Sequence, residues 1–193
     1  MNWRSVLFNV TFALNCMLLF LVLFESRLAL PPWLQVVGRM HPLLLHFPLV
    51  LIVVYAVLPR SDAYKDLLLV AAFTAALTAI MGLFLSREEG YDQEALQWHK
   101  WGGATISVFT LLWYRLPMKR PLTIVTSILA LFLIVFTGHL GASITHGDNF
   151  LLAPVDKPIP VPLDEAKVYQ HLVRPVLQQK CMTCHNSNKA KGE

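Results

Sequence analysis

Five apolar runs, each close to the length that crosses a bilayer, limit the folds open to this chain. They cover about residues 6–24, 42–58, 67–85, 102–116 and 122–140. A helical span needs ~20 mostly apolar residues, and backbone within hydrocarbon must satisfy its own N–H and C=O groups. The expected fold is therefore all-α, an integral membrane bundle of about five transmembrane helices. The second and fourth runs are short, so their helices are expected to extend into polar neighbours such as His41 and Trp98. Pro42 and Pro121 fall at first turns, where proline is tolerated. Pro48 lies further in and is expected to kink or loosen the second helix.

Composition agrees. The chain is 55% hydrophobic and 15% charged, whereas soluble domains hold about 45–50% apolar and about 25% charged residues. The net charge of +4 includes no Lys/Arg block, so nothing points to a nucleic-acid partner. Three cysteines cannot build a disulfide scaffold. No small-x-small cleavage site follows the first apolar run, which is expected to be a retained anchor.

Two arguments orient the bundle. With the N-terminus cytoplasmic, the inner segments carry Arg4, Arg60, Lys65, Arg115, Lys119 and Arg120, while the outer loops carry Arg27, Arg39, Arg87 and Lys100. That bias leans toward positive-inside. Trp3 and Trp113 would form an inner belt, with Trp33, Trp98 and Trp101 an outer one. The second argument is chemical and rests on the C-terminal segment.

There the chain reads Cys181-Met182-Thr183-Cys184-His185. Cys-x-x-Cys-His is the attachment signature of c-type haem: two thiols bond the porphyrin vinyl groups, and the next histidine ligates the iron. Covalent attachment of this kind occurs outside the cytoplasm, so a tail after five spans is external when the N-terminus is internal. The two arguments agree on a bacterial inner-membrane protein with its haem segment on the periplasmic face.

Before this motif, Pro154, Pro158, Pro160 and Pro162 mark an extended linker. Asp164 is a candidate N-cap for a short helix through Val168, Leu172 and Val173, interrupted by Pro175 and restarting before Cys181. Only eight residues follow His185, too few to cover the second haem face. That cover is expected from further chain or another subunit. His171 is a weaker candidate for the distal ligand.

The histidines supply the second functional signal. His41 and His46 flank the outer start of span two, His99 opens span four, His139 closes span five and His146 follows it. None falls on the inner side. Ionisable residues at membrane depth are functional candidates, and imidazole suits iron, zinc and copper. Two histidines on separate helices can hold a b-type haem within a bundle. Gly102, Gly103, Gly138 and Gly141 would admit a flat macrocycle. The plainer alternative is a set of interfacial residues bonded to headgroups, water or each other. His46 and His139 are the favoured axial pair, with His41 and His99 a second pair or hydrogen-bond partners. His41 and His46 stand about 140° apart on one helix, so they cannot share one iron. The metal-ligating set is thus His185, His46, His139 and His99, with His41 beside them. Asn15 and Cys16 are expected to be helix-contact residues, and Glu25 and Arg27 to mark the membrane edge.

Two resemblances bear on these residues. The stretch 168–193, with "VRPVLQQKCMTCHNSNKAKGE", resembles the planctomycete-type cytochrome c domain. The part before it, with "HPLLLHFPLVL", "WHKWGG" and "GHLGASITHG", resembles a small histidine-bearing membrane domain of unknown function found beside such cytochromes and Rieske-type modules. These resemblances imply Cys181 and Cys184 as thioether positions, His185 as proximal ligand, and His46, His99 and His139 as characteristic histidines. The expected organisation is an anchor and loop (1–40), a four-helix histidine domain (41–147), a linker (148–165) and a haem c segment (166–193).

The expected activity is one-electron relay along the outer face, from a b-type haem in the bundle to a tethered c-type haem. Membrane lipid, a redox donor such as quinol, an external acceptor and a larger membrane complex are the implied partners. The rival expectations are a membrane anchor or assembly subunit bearing haem c alone, and a histidine metal site.

Overall fold

The computed structural model describes residues 2–58, 62–88, 91–117, 119–147, 150–152, 155, 162, 165–182, 185–186 and 189–190. The helices are α1 (Trp3–Leu23), α2 (Pro32–Gly38), α3 (His41–Leu44), α4 (His46–Val57), α5 (Asp62–Leu85), α6 (Gln93–Arg115), α7 (Arg120–His146) and, near the C-terminus, α8 (Arg174–Lys180). A π-helical turn, Val168–Val173, leads into α8, and two residues of antiparallel pairing join His185–Asn186 to Lys189–Ala190. Cys184, Asp164, Pro154, Pro158 and Pro160 lie outside the described residues.

Four helical stretches are long and apolar enough to cross a membrane: Trp3–Leu23, Pro32–Val57, Tyr64–Leu85 and Arg120–His146. The fifth expected span coincides with α6, which is 23 residues long but does not join them. Its first turns carry Gln93, Glu94, Gln97, His99 and Lys100, and its buried face includes Ser107 and Thr110. This polar content is affordable because α6 is packed by α1, α5 and α7.

Local chemistry sets the helix ends. The Asn2 side chain accepts the Arg4 N–H at 3.1 Å and opens α1. Asp92 accepts the Ala95 N–H at 2.9 Å and opens α6. Gly147, at φ 94°, closes α7 in a conformation that only glycine adopts cheaply. The prolines decide the rest. α2 ends at Gly38 and α3 at Leu44, each four residues before a proline, Pro42 and Pro48. A proline lacks the N–H for the carbonyl four residues back, and its ring clashes with that carbonyl. The expected loosening at Pro48 thus falls at Leu45, and a similar one falls at Arg39–Met40, although these residues keep right-handed helical dihedrals and Pro32–Val57 runs on as one helical stretch.

α5 is the central helix, packed by α1, α2, α3, α4 and α6. Ala71, Ala72, Ala75 and Ala76 on it are buried, and such small side chains let neighbouring backbones approach closely. The approach is closest at Gly38, where a Cβ would lie 2.5 Å from the Leu85 backbone nitrogen. One apolar cluster joins Ile52, Tyr55, Leu68, Ile106 and Trp113, and a second joins Leu18, Val22, Ile80, Leu83 and Ala104. Between them Ser107 Oγ donates to Asn15 Oδ1 at 2.8 Å, and Asn15 Nδ2 donates to the Thr11 carbonyl at 2.9 Å. Asn15 is the expected helix contact, whereas Cys16 is exposed.

The outward faces are apolar too. Phe12 and Phe20 on α1, Val50 and Val53 on α4, and Ile124, Ile128, Phe132 and Val135 on α7 are all exposed. A water-soluble bundle would bury such a surface; a bilayer covers it. Trp3, Trp33, Trp98 and Trp101 are exposed, as belt residues should be. Trp113 is not a belt residue: it is buried edge-on against Tyr55, with ring centroids 5.1 Å apart.

Candidate functional site

The bundle brings two imidazoles together at the end where α5 and α7 finish and α6 begins. His41 projects from the single turn of α3, and its Nδ1 lies 2.9 Å from the Thr78 carbonyl on α5. His99 projects from the second turn of α6, with Nδ1 2.9 Å from the Thr137 carbonyl on α7. A carbonyl can only accept, so Nδ1 carries the proton in both rings. Each Nε2 is left with a lone pair. The ring centroids stand 6.3 Å apart, and the ring planes cross at 86°.

Each ring rests against a glycine one helical turn beyond its carbonyl. A Cβ at Gly82 would come within 2.9 Å of His41 Cε1 and Nδ1, and a Cβ at Gly141 within 2.9 Å of His99 Cε1. Gly102 faces the Thr137 side chain so closely that a Cβ would collide with it, and Thr137 Oγ1 is buried without a hydrogen-bond partner among the described residues. Gly103 and Gly138 face open space. The same cradle is therefore built twice: histidine, threonine carbonyl, glycine.

The favoured pair from the sequence, His46 and His139, is placed differently. His46 is exposed on α4, just after Leu45, and His139 is exposed on α7. His139 sits two residues after Thr137, about 200° around the helix from the carbonyl that holds His99. No ring contact joins His46 and His139 among the described residues. His146 is exposed and stacks on Phe150, with centroids 4.4 Å apart. His171 Nδ1 accepts the Lys167 N–H at 2.9 Å, within its own turn.

Sequence reading missed Thr78, Gly82 and Thr137, although a signal was present. Thr-x-x-x-Gly occurs as Thr78-Ala79-Ile80-Met81-Gly82 and Thr137-Gly138-His139-Leu140-Gly141, and each threonine follows its histidine by 37 or 38 residues. Glu25 was also undervalued. Its carboxylate accepts from Lys100 Nζ at 2.7 and 2.8 Å and from Gln97 Nε2 at 3.3 Å, and Arg87 donates to its carbonyl. Arg39 and Glu88 pair at 2.6 Å in the same region. These bonds tie the loop between α1 and α2, the C-terminal end of α2, the turn after α5 and the start of α6 into one polar rim beside the histidines.

In the C-terminal segment, α8 leads into Cys181, and the His185 N–H donates to the Cys181 carbonyl at 2.8 Å. The turn keeps thiol and imidazole close along the chain, both exposed.

Comparison with protein-family models, curated proteins and solved structures found no match.

The donor set narrows what the histidine pair can hold. Among the described residues, no group of three or more His, Cys, Asp or Glu side chains could hold a metal ion. Structural zinc is almost always bound by four ligands. Two imidazoles fit a centre that brings its own equatorial ligands. A porphyrin supplies four equatorial nitrogens and would need two axial donors, a number that His41 and His99 match.

Proposed function

We propose that this protein is a membrane-anchored electron carrier that relays single electrons along the outer, periplasmic face of a bacterial inner membrane. The observation that carries this reading is Cys181-Met182-Thr183-Cys184-His185 following a bundle with four apolar helices. In this reading Cys181 and Cys184 form the thioether bonds and His185 is the proximal ligand. His41, His46, His99 and His139 lie toward one end of the bundle and provide the candidates for two axial positions. Bound haem iron supplies a one-electron couple between its ferric and ferrous states.

The protein's own groups bind and orient. Backbone carbonyls fix the imidazole tautomer, a device that also raises ligand basicity. The apolar helices keep the pair at membrane depth, and α6 serves as the fifth span with its polar start in the outer interface. The N-terminus is then cytoplasmic, and the segment after α7 emerges on the side of the histidines. A lipid-soluble donor such as quinol, an external acceptor and a larger membrane complex complete the relay.

A pyridine haemochrome spectrum, taken before and after acid–acetone extraction, tests the reading. Covalent haem c stays with the polypeptide and haem b is extracted. Both haems together support the relay. Haem c alone reduces the bundle to an anchor, and stoichiometric zinc or copper without haem b replaces the relay with a metal site.

A further inference from the structure

The geometry points to His41 and His99, held by the Thr78 and Thr137 carbonyls, as the axial ligand pair of a single b-type haem with near-perpendicular imidazole planes. The inference rests on the relay reading and narrows it to one pair and one ligand geometry. Three observations converge on it.

The first is separation. A metal–imidazole bond of about 2.0–2.1 Å, plus about 1.1 Å from nitrogen to ring centre, puts two coaxial trans imidazoles about 6.3 Å apart. The two ring centroids stand at 6.3 Å. The second is chemistry. Each ring has its Nδ1–H committed to a carbonyl, and two Nε2 lone pairs cannot bond each other. Each Nε2 therefore keeps a lone pair that a Lewis acid placed between the rings would engage. The third is duplication. The same carbonyl and glycine support each ring, while His46 and His139 have no equivalent support among the described residues. Metal-bound histidines commonly anchor their second ring nitrogen in this manner.

The 86° between ring planes has a spectroscopic consequence. Perpendicular axial imidazoles act on different iron d orbitals and remove the in-plane rhombic splitting. The oxidised centre then gives a highly anisotropic low-spin EPR signal, whereas parallel rings give a rhombic three-line spectrum.

The test uses the full chain in detergent. Haem b is quantified by extraction for His41→Ala, His99→Ala, His46→Ala and His139→Ala. EPR is recorded on C181S/C184S, which cannot hold haem c covalently. We expect loss of extractable haem in the His41 and His99 variants, retention in the other two, and the highly anisotropic signal. Free imidazole added to His41→Gly and His99→Gly separates lost ligation from lost folding, and restoration of the low-spin spectrum supports the assignment. Loss of haem b with His46 or His139 but not with His41 or His99 overturns it, as does a rhombic signal or the absence of imidazole rescue in both glycine variants. If the unsubstituted protein holds no extractable haem, the relay reading itself has failed.

Discussion

At the end of the bundle where α1 and α5 begin, the contacts are aromatic and apolar. Trp113 meets Tyr55 edge-on and Phe109 at a tilt, and Lys65 and Arg115 lie over the rings of Tyr114 and Phe8. The salt bridge there, Arg4 to Asp66, is loose, with side chains 52% and 28% exposed. At the opposite end the contacts are polar and enclosed. Lys100 and Glu25 are only 8% and 19% exposed, and two imidazoles are bonded to main-chain carbonyls between helices. One end secures the fold by filling space. The other accepts the desolvation of charges and polar rings, a cost that packing alone never requires. A chain that concentrates that cost at one end is holding specific groups in specific positions there.

The largest effect is expected at the aromatic end. Trp113→Ala should cost about 3–5 kcal/mol, read as a lower unfolding midpoint in a denaturing-detergent titration. If the ends are separable as described and the proposed haem is bound, the haem spectrum of the surviving folded fraction stays unchanged; a shifted spectrum would show that the ends are coupled. Next comes Glu25→Ala, which leaves the Lys100 ammonium enclosed without its carboxylate. Breaking such a pair costs about 3 kcal/mol, and the double variant with Lys100→Met should recover most of it in the same titration.

Gly141→Ala places a methyl group against His99 and should cost about 1–2 kcal/mol. Its sharper readout is the haem spectrum, which should shift or lose intensity, whereas Gly138→Ala, on an open face, should leave it unaltered. The smallest effect belongs to Arg4→Ala, within about 0–1 kcal/mol for so exposed a pair. A loss as large as that of Glu25→Ala would erase the contrast between the ends.

Much of this architecture can be read from the sequence, and for a definite reason. Apolar runs of bilayer length admit few conformations, so all five expected spans meet helices in the structure, four of them long and apolar enough to cross a membrane. Helix interruptions were less legible. Pro48 signals the loosening at Leu45, whereas the matching interruption four residues before Pro42 is not read from the sequence. The histidines are visible as a cluster at one end, and His41 with His99 is one of the pairings the sequence leaves open beside His46 with His139. Which imidazoles face each other depends on rotation about helix axes, which apolar periodicity does not fix. Main-chain acceptors such as Thr78 O carry no side-chain signature at all. Glu25 was read as a membrane-edge residue because its partner, Lys100, lies 75 residues away.

The doubled cradle also has a meaning for how little sequence this site requires. A helical hairpin spanning residues 93–146 contains the ring of His99, the carbonyl of Thr137 and the glycine at 141. Two copies of such a hairpin, related by a dyad as in an isologous pair, carry every group the six-part site uses. In the chain itself the other ring stands on the proline-bounded turn of α3 and is held by α5. The unit the two sites share is then a ring, a carbonyl and a missing side chain, set on different helices each time.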